Sequence, residues 1–315
     1  MKKGVKVTSV GHFVPEKIVT NTDIINKGID SSDKWIVSRT GIQERRIAKK
    51  NETTTQLALN ASKLAFKKNN FPKSKLDLII VATSTPEYNG FPSTATMIQE
   101  KIGAPTTCTS FDISAACTGF SYALTTACQY IQNNHINYAL IIAADCLSKI
   151  TNWNDRNTCI LFGDGAGAVL LSTSSKNYVL ASKLYSDGSF HNILKVTNFI
   201  EMEGQAVFKV ATSKIITAID NFLTENNLCT SDITYFIPHQ ANIRIIKLIQ
   251  EKISFTDQQT IINIEKYGNT SAASIPIALS ELYQKNKLKA GDLILTAGFG
   301  AGFTWGINLI KWSKI

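Results

Sequence analysis

Cysteine is scarce in this chain of 315 residues, with six in all, and histidine is scarcer, with four. Six cysteines are too few for a disulfide scaffold, and no Cys-x-x-Cys pair or Cys/His cluster has zinc-ligand spacing, so no metal is expected. Acidic residues are also short, 24 Asp+Glu against 33 Lys+Arg, which leaves a formal charge of +9. That balance points to anionic partners without separating nucleic acid, membrane, phosphorylated cofactor or acidic protein. Long apolar runs are missing. The longest uncharged stretch, Leu293 to Ile310, carries four glycines, Asn308 and two threonines, and reads as two strands around a glycine-rich loop rather than a membrane span. Met1-Lys2-Lys3-Gly4-Val5-Lys6 starts like a secretion signal, but Lys6, Gly11 and His12 interrupt any apolar segment, and Val5, Val7 and Val10 read as a strand. A soluble, cytoplasmic protein is expected. With 44% apolar residues and no low-complexity bias, the chain can fill two domains or one large duplicated unit.

What is present is a series of short apolar runs between helical patterns, the mark of an α/β fold with buried strands. Candidate strands are Leu76–Ala82, Thr109–Ile113, Tyr138–Ala143 and Ala166–Leu171, then Ile233–Ile237, Thr260–Ile264, Leu293–Ala297 and Trp305–Ile310. The two sets align in order. Asp77-Leu-Ile-Ile matches Asp232-Ile-Thr-Tyr, and Tyr138-Ala-Leu-Ile-Ile matches Asp292-Leu-Ile-Leu. The offset is roughly 155 residues, so the chain is expected to be two copies of one half. The expected halves are 1–172 and 173–315. Ligands in open α/β sheets sit beyond the carboxyl ends of strands, so chemistry is sought there.

At one such end, Phe111-Asp-Ile-Ser-Ala-Ala-Cys117-Thr-Gly-Phe120 runs from strand into helix, and Phe120, Leu124, Cys128 and Ile131 form an apolar stripe. Cys117 then faces inward at a helix N-terminus, where partial positive charge favours a nucleophilic thiolate. Ser114, Ala115 and Ala116 leave room, and Gly119 permits close backbone approach. Cys108, Cys128, Cys146, Cys159 and Cys229 keep the ordinary reading of small buried hydrophobes. His239 follows a strand that Pro238 ends; by itself it is as readily a structural loop histidine as a catalytic one. His12, His135 and His191 are expected to be solvated. Asn269 lies at a strand-to-helix corner, where asparagine is also a plain N-cap. Reading it as the duplication partner of Cys117 places both at one seam. Gly163-Asp-Gly-Ala-Gly-Ala fits a dinucleotide-loop pattern, but a strand and not a helix continues from it, which excludes that site. Close backbone approach, as in an oxyanion hole, explains Gly298–Gly306 better.

Five blocks resemble, in order and spacing, β-ketoacyl-acyl carrier protein synthase III, a condensing enzyme that initiates fatty-acid synthesis. They are Asp33-Lys-Trp35-Ile-Val-Ser-Arg39-Thr-Gly-Ile, Phe162-Gly-Asp-Gly-Ala-Gly167, Ile237-Pro-His239-Gln-Ala-Asn242, Tyr267-Gly-Asn269-Thr-Ser-Ala-Ala and Gly298-Phe-Gly-Ala-Gly-Phe-Thr-Trp-Gly306. The resemblance spans essentially the whole chain. It implies an α/β, thiolase-like fold of two pseudo-symmetric βαβαβαββ halves in a five-layered α-β-α-β-α arrangement. It implies a catalytic triad of Cys117, His239 and Asn269, with the primer carried on Cys117 and condensed with malonyl-acyl carrier protein. Backbone N–H groups of Cys117 and Ala301 would hold the oxyanion, and Phe299 would shield the decarboxylation site. Coenzyme A would meet Trp35, Arg39, Arg156, Gly204, Phe208 and Asn242. Phe91 would cross a homodimer interface to close the partner's acyl pocket.

Acyl-CoA and malonyl-acyl carrier protein are the implied partners, with no further cofactor, nucleic acid or membrane. On the helix after His239, Asn242, Ile245, Ile246, Ile249 and Ile253 read as the buried face, while Arg244, Lys247 and Lys252 are carrier-docking candidates. Two departures bear on the primer: Ala301 replaces a glycine common at its position, and the segment between Gly188 and Phe208 is shorter than in many members.

Relatives that make alkylquinolone precursors or polyketides form the alternative reading. A papain-like protease would need a different cysteine environment and disulfides. A thiolase would need a second cysteine in Gly298–Gly306. A type III polyketide synthase is usually longer. A nucleic-acid binder leaves the triad unexplained.

Overall fold

The computed structural model describes residues 3–133 and 135–314, apart from the side chains of Lys68 and Asn69. Met1 and Lys2 of the basic start therefore lie outside the described residues. The first half supplies β1 (Gly4–Phe13), β2 (Leu78–Ala82), β3 (Thr109–Ile113), β4 (Tyr138–Asp145) and β5 (Gly165–Ser174). The second supplies β6 (Val179–Ser186), β7 (Tyr235–Pro238), β8 (Leu293–Gly300) and β9 (Thr304–Lys311). The first sheet has the order β1-β5-β4-β2-β3 and the second β7-β8-β9-β6. Read from β1 and from β6, both run antiparallel, antiparallel, parallel, so the duplication holds for four strands of each half.

The place of β3 in the second half is taken by a single bridge between Phe236 and Thr260. The expected strand Thr260–Ile264 is thus not formed. Phe236 exchanges ladder hydrogen bonds with Gln259 and Ile261, but the backbone turns at Asn263 into a helix, Ile264–Tyr267. The boundary between halves also moves. Position 172 lies inside β5, and the turn between Ser174 and Val179 divides the copies.

The helices of eight or more residues among the described residues are α1 (Asp33–Thr40), α2 (Thr54–Asn69), α3 (Thr94–Ile102), α4 (Gly119–Gln132), α5 (Gly204–Glu225), α6 (Ile243–Ile253) and α7 (Ser274–Gln284). Caps follow sequence: Thr53 accepts from Gln56 N–H to start α2, and Asn242 accepts from Arg244 N–H to start α6. Asn242 is therefore a half-buried cap rather than part of the buried face of α6. Helices α2 and α3 pack Leu57, Phe66 and Ile98 on the outer face of the first sheet. Helices α5 and α6 pack Ile215, Phe222, Ile245 and Ile249 on the second. Between the sheets, Phe120, Leu124 and Ile131 of α4 share one core with Ile275, Ile277 and Leu279 of α7. That is the five-layered arrangement. Each such Leu, Ile or Phe contributes roughly 1.5–3 kcal/mol by burial, and because the central core draws on both copies, neither half is packed without the other. No helix among the described residues is long and apolar enough to cross a membrane.

Two solvation readings change. Cys229 is exposed, its Sγ 3.0 Å from Asp232 Oδ2 in a surface turn, because it follows α5 in a loop. His12 is half-buried within β1, with Nδ1 2.9 Å from Ser280 Oγ.

Arg45 is fully buried. Its guanidinium donates to Val19 O (3.1 Å), Asn21 Oδ1 (2.8 Å) and Ile160 O (2.8 Å), tying the antiparallel strand pair Ile18–Thr20 and Glu44–Arg46 to the loop before β5. Burial lowers its pKa to about 10, so it stays charged at neutral pH. Arg45→Ala leaves Ile160 O and Asn21 Oδ1 without this donor and opens a void, and should lower stability by about 3 kcal/mol. Chemical denaturation monitored by circular dichroism checks this; a change within about 0.5 kcal/mol would contradict it.

Candidate active site

The chain leaves β3 through Ser114 and Ala115, and Ala116 takes φ 45°, in the left-handed region. A non-glycine residue held there costs about 1–3 kcal/mol and persists only where the surroundings fix it. Here the turn Ala116–Thr118 is clamped by the β8–β9 hairpin: Thr118 Oγ1 donates to Thr304 O (3.0 Å), and Thr304 Oγ1 to Ala115 O (3.2 Å). The glycine-rich segment is therefore mostly strand, with Gly298 and Gly300 in β8 and Gly306 in β9. A Cβ on Gly300 would fall 2.6 Å from Cys117 N, so glycine is what lets the hairpin lie against the nucleophile turn.

Equivalent positions follow from the helices. Gly119 opens α4 and Ser274 opens α7, and the left-handed residues before them are Ala116 and Ser271. Cys117 is therefore equivalent to Ala272, not to Asn269. Asn269 faces the same seam for a different reason: its backbone bonds the loop before β5 from both sides. Asn269 N–H donates to Leu161 O (2.9 Å), and Gly163 N–H donates to Asn269 O (3.0 Å). Its Oδ1 accepts from Ser271 N–H (2.8 Å), which orients the amide so that Nδ2 is the free donor.

His239 follows Pro238 at the end of β7, and its N–H donates to Ala297 O of β8 (2.8 Å). Its Nδ1 lies 2.7 Å from Ser274 Oγ, which also accepts from Gln240 N–H (3.3 Å). Among the described residues, His239 Nδ1 is the one acceptor for the buried Ser274 hydroxyl. Satisfying that hydroxyl puts the ring proton on Nε2. Burial lowers the His239 pKa to about 3, so the ring is neutral. The Phe299 ring meets it edge-on, centroids 5.2 Å apart.

Cys117, His239, Asn269 and Phe299 line one cavity of about 610 Å³. Burial pushes the Cys117 thiol up to about 12, with Ser271 acting in the opposite sense. Towards solvent the same cavity is lined by Trp35, Arg39, Gly204, Phe208, Asn242 and Arg244. The Arg156 and Arg39 guanidiniums lie 4.8 and 5.9 Å from the Trp35 ring, and Arg244 lies 5.5 Å from Phe208. The short segment after Gly188 forms the hairpin Leu194–Val196/Ile200–Met202, and Leu194 and Met202 enter the cavity wall.

Other expected site residues stand outside that wall. Arg156 touches Trp35 from outside and donates to Asp30 O (3.0 Å). Ala301 follows β8 half-buried, while Gly300 occupies the wall. Phe91 is 90% exposed on the isolated chain. On α6, Lys247 pairs with Asp257 (2.6 Å), and Lys252 is exposed. Ser271 and Ser274 were not singled out by sequence; the hydroxyls of Asn269-Thr-Ser-Ala-Ala-Ser are the only signal it held.

The pattern described as 3-oxoacyl-[acyl-carrier-protein] synthase III matches residues 111–188, and its C-terminal counterpart matches residues 223–312. The chain is 45% identical to beta-ketoacyl-[acyl-carrier-protein] synthase III of Clostridium novyi, over 98% of this chain and 99% of that one. It is 43% identical to the protein of the same description from Campylobacter fetus, over 99% of both. The crystal structure of 3-oxoacyl-[acyl-carrier-protein] synthase III from Aquifex aeolicus superposes with a TM-score of 0.95 at 44% identity, covering 98% of this chain and 100% of that one. The priming beta-ketosynthase of the R1128 polyketide pathway superposes with a TM-score of 0.94 at 29% identity, covering 99% and 97%.

Proposed function

The chain belongs to the β-ketoacyl-acyl carrier protein synthase III family, thiolase-fold condensing acyltransferases, and on that premise we propose that Cys117, His239 and Asn269 divide its reaction between them. Cys117 attacks the thioester of an acyl-CoA primer and carries the acyl group, its N–H and that of Ala301 holding the oxyanion. Malonyl-acyl carrier protein then enters, and His239 Nε2–H and Asn269 Nδ2–H hydrogen-bond its thioester carbonyl. As carbon dioxide leaves, the enolate charge is held by these two neutral donors, and the carbanion attacks the acyl-cysteine to give a β-ketoacyl thioester. The observation that carries this reading is the pair of donors beside a thiol: a histidine kept neutral by burial and protonated on Nε2, and an amide whose oxygen is already used. An acid–base histidine would need a pKa near neutrality. Phe299, packed on the His239 ring, keeps water from the enolate.

The first half supplies the nucleophile and the second supplies both donors. Trp35 and Arg39 sandwich the adenine of coenzyme A, Arg156 beside Trp35 adds a further nucleotide contact, and Gly204, Phe208 and Asn242 complete the wall. Arg244, Lys247 and Lys252 present charge to the acidic carrier protein. Phe91, too exposed for a chain that acts alone, closes the acyl pocket of a homodimer partner. The reaction needs only its two thioester substrates, with no further cofactor, and places the protein in the cytoplasm. The synthase III relatives at 45% and 43% identity favour the initiating role over the polyketide-priming one at 29%.

Trp35→Ala should raise KM for acyl-CoA about tenfold with kcat little changed, since it removes binding that ground and transition states share. Steady-state kinetics with a fixed, saturating carrier substrate check this. The whole reading is tested by offering malonyl-acyl carrier protein with a panel of acyl-CoA primers and following products by mass spectrometry. Absence of any acyl-enzyme and of carbon dioxide with every primer would sink it.

A further inference from the structure

A second cavity, of about 470 Å³, shares no lining residue with the first. Five of the ten residues that line it are lysines, Lys17, Lys27, Lys49, Lys50 and Lys149, and none is acidic. The proposed reaction uses none of them.

The walls of this cavity are built from the inside. Ile47 N–H donates to Lys17 O (3.0 Å), which carries the strand pair Ile18–Thr20 and Glu44–Arg46 one step further and sets Lys17 on its rim. The buried carboxyl of Asp164 then joins that pair to the opposite wall. Its Oδ2 accepts from Ala48 N–H (2.7 Å) and Ser148 Oγ (2.5 Å), and its Oδ1 from Ser148 N–H (2.8 Å). Lys149 Nζ donates to Glu52 O (2.7 Å), which ties the turn after Lys50 to the same place. Val19 and Ile47 are buried and give the cavity an apolar side. Trp153 is fixed by its Nε1–H, which donates to Ser148 O (3.1 Å), and Lys27 Nζ lies 5.4 Å from its ring.

The charge gathered here is only partly answered. Glu16 meets Lys49 at 3.3 Å, with both side chains largely in water, so the pair is weak and exchangeable. Glu52 accepts from Lys49 N–H, and Asp164 is spent on the three bonds that hold the walls. Lys17, Lys27 and Lys50 are exposed and pair with no carboxylate among the described residues. Like charges around one concavity repel each other, and an anion that carries several charges relieves that repulsion. Ammonium groups are compact point charges that suit phosphate oxygens. The volume is that of a small-molecule site, too confined for the surface of a folded partner.

We infer that this cavity is a binding site for a small anion that carries a chain of phosphates, held by Lys17, Lys27, Lys50 and Lys149. A nucleoside polyphosphate and inorganic polyphosphate share that chemistry. The site stands apart from the acyl-transfer reading, and its test needs no turnover.

Isothermal titration calorimetry of the full chain tests it, with sodium tripolyphosphate as the probe and ATP as the nucleotide form of the same chemistry. Tripolyphosphate should bind saturably at low ionic strength and weaken about tenfold or more as salt rises from about 0.05 to about 0.5 M. Lys27→Gln combined with Lys50→Gln should weaken it about tenfold, the scale of two partly screened ion contacts. Lys287→Gln combined with Lys289→Gln, the same charge change in the loop after α7, should leave it unchanged. Binding should also persist while coenzyme A saturates the cavity around Trp35. With coenzyme A present, tighter binding of ATP than of tripolyphosphate assigns the site to a nucleotide; otherwise it takes the phosphate chain alone. Absence of saturable binding, or an equal loss in both double variants, would overturn the inference. Displacement of tripolyphosphate by coenzyme A would give these lysines to the coenzyme A site and overturn it too. So would a Lys27/Lys50 variant that binds tripolyphosphate normally but malonyl-acyl carrier protein weakly, since the lysines would then serve the carrier protein.

Discussion

Cys117→Ala should form no acyl adduct in the cavity and should lower condensation by about 10⁴-fold or more, the scale seen when a covalent nucleophile is removed. The substitution removes one sulfur atom from a turn held by other groups. Thr118 and Thr304 clamp its backbone, and Gly300 lies against its N–H. The protein should therefore remain folded, and the two donors should still decarboxylate malonyl-acyl carrier protein. Peptide mapping is the proper readout, because Cys229 is an exposed thiol that can pick up acyl groups non-specifically. Loss of the adduct from the Cys117 peptide, with decarboxylation retained, is the expected pattern. An acylated variant with wild-type turnover would place the nucleophile elsewhere.

Removing one donor separates the two half-reactions. Asn269→Asp keeps the Oδ1 acceptor that holds Ser271 N–H and replaces the free N–H donor with an oxygen. Decarboxylation should fall about 10²–10³-fold, equivalent to about 2.7–4 kcal/mol of transition-state stabilisation, while acylation of Cys117 continues. Asn269→Ala should behave alike, with an added loss of stability from the turn. The same argument fixes the pH behaviour of His239. Its pKa is lowered to about 3, so it remains a neutral donor above that pH, and the decarboxylation half-reaction should show no titration from it between pH 5 and 9. Equal loss of acylation and decarboxylation in Asn269→Asp would contradict this division of roles.

Most of the fold was legible because its strands are buried on both faces. Leu78–Ala82 and Tyr138–Asp145 are nearly unbroken apolar runs, and their counterparts near Tyr235 and Leu293 repeat the order. Thr260-Ile-Ile-Asn-Ile looks the same in one dimension, yet it pairs for one bridge and turns into a helix, which a run of five residues cannot reveal. Cys117, His239, Asn269 and Phe299 were marked by their motifs and line one cavity, whereas the equivalence of Cys117 and Asn269 was misread. The left-handed pair Ala116 and Ser271 marks the true register, and backbone dihedrals are not written in residue names. Ser274, far along the chain from His239, fixes its tautomer through a contact that only the α7–β7 packing creates.

The central claim is that Cys117 carries the primer between two half-reactions. Its most direct test is a chase followed by mass spectrometry: load the protein with an acyl-CoA, remove free thioester, then add malonyl-acyl carrier protein. The account predicts an acyl mass on the Cys117 peptide that disappears in step with an equal amount of β-ketoacyl-acyl carrier protein and carbon dioxide. A stable adduct that malonyl-acyl carrier protein does not discharge, or product formed with Cys117 never acylated, would contradict it.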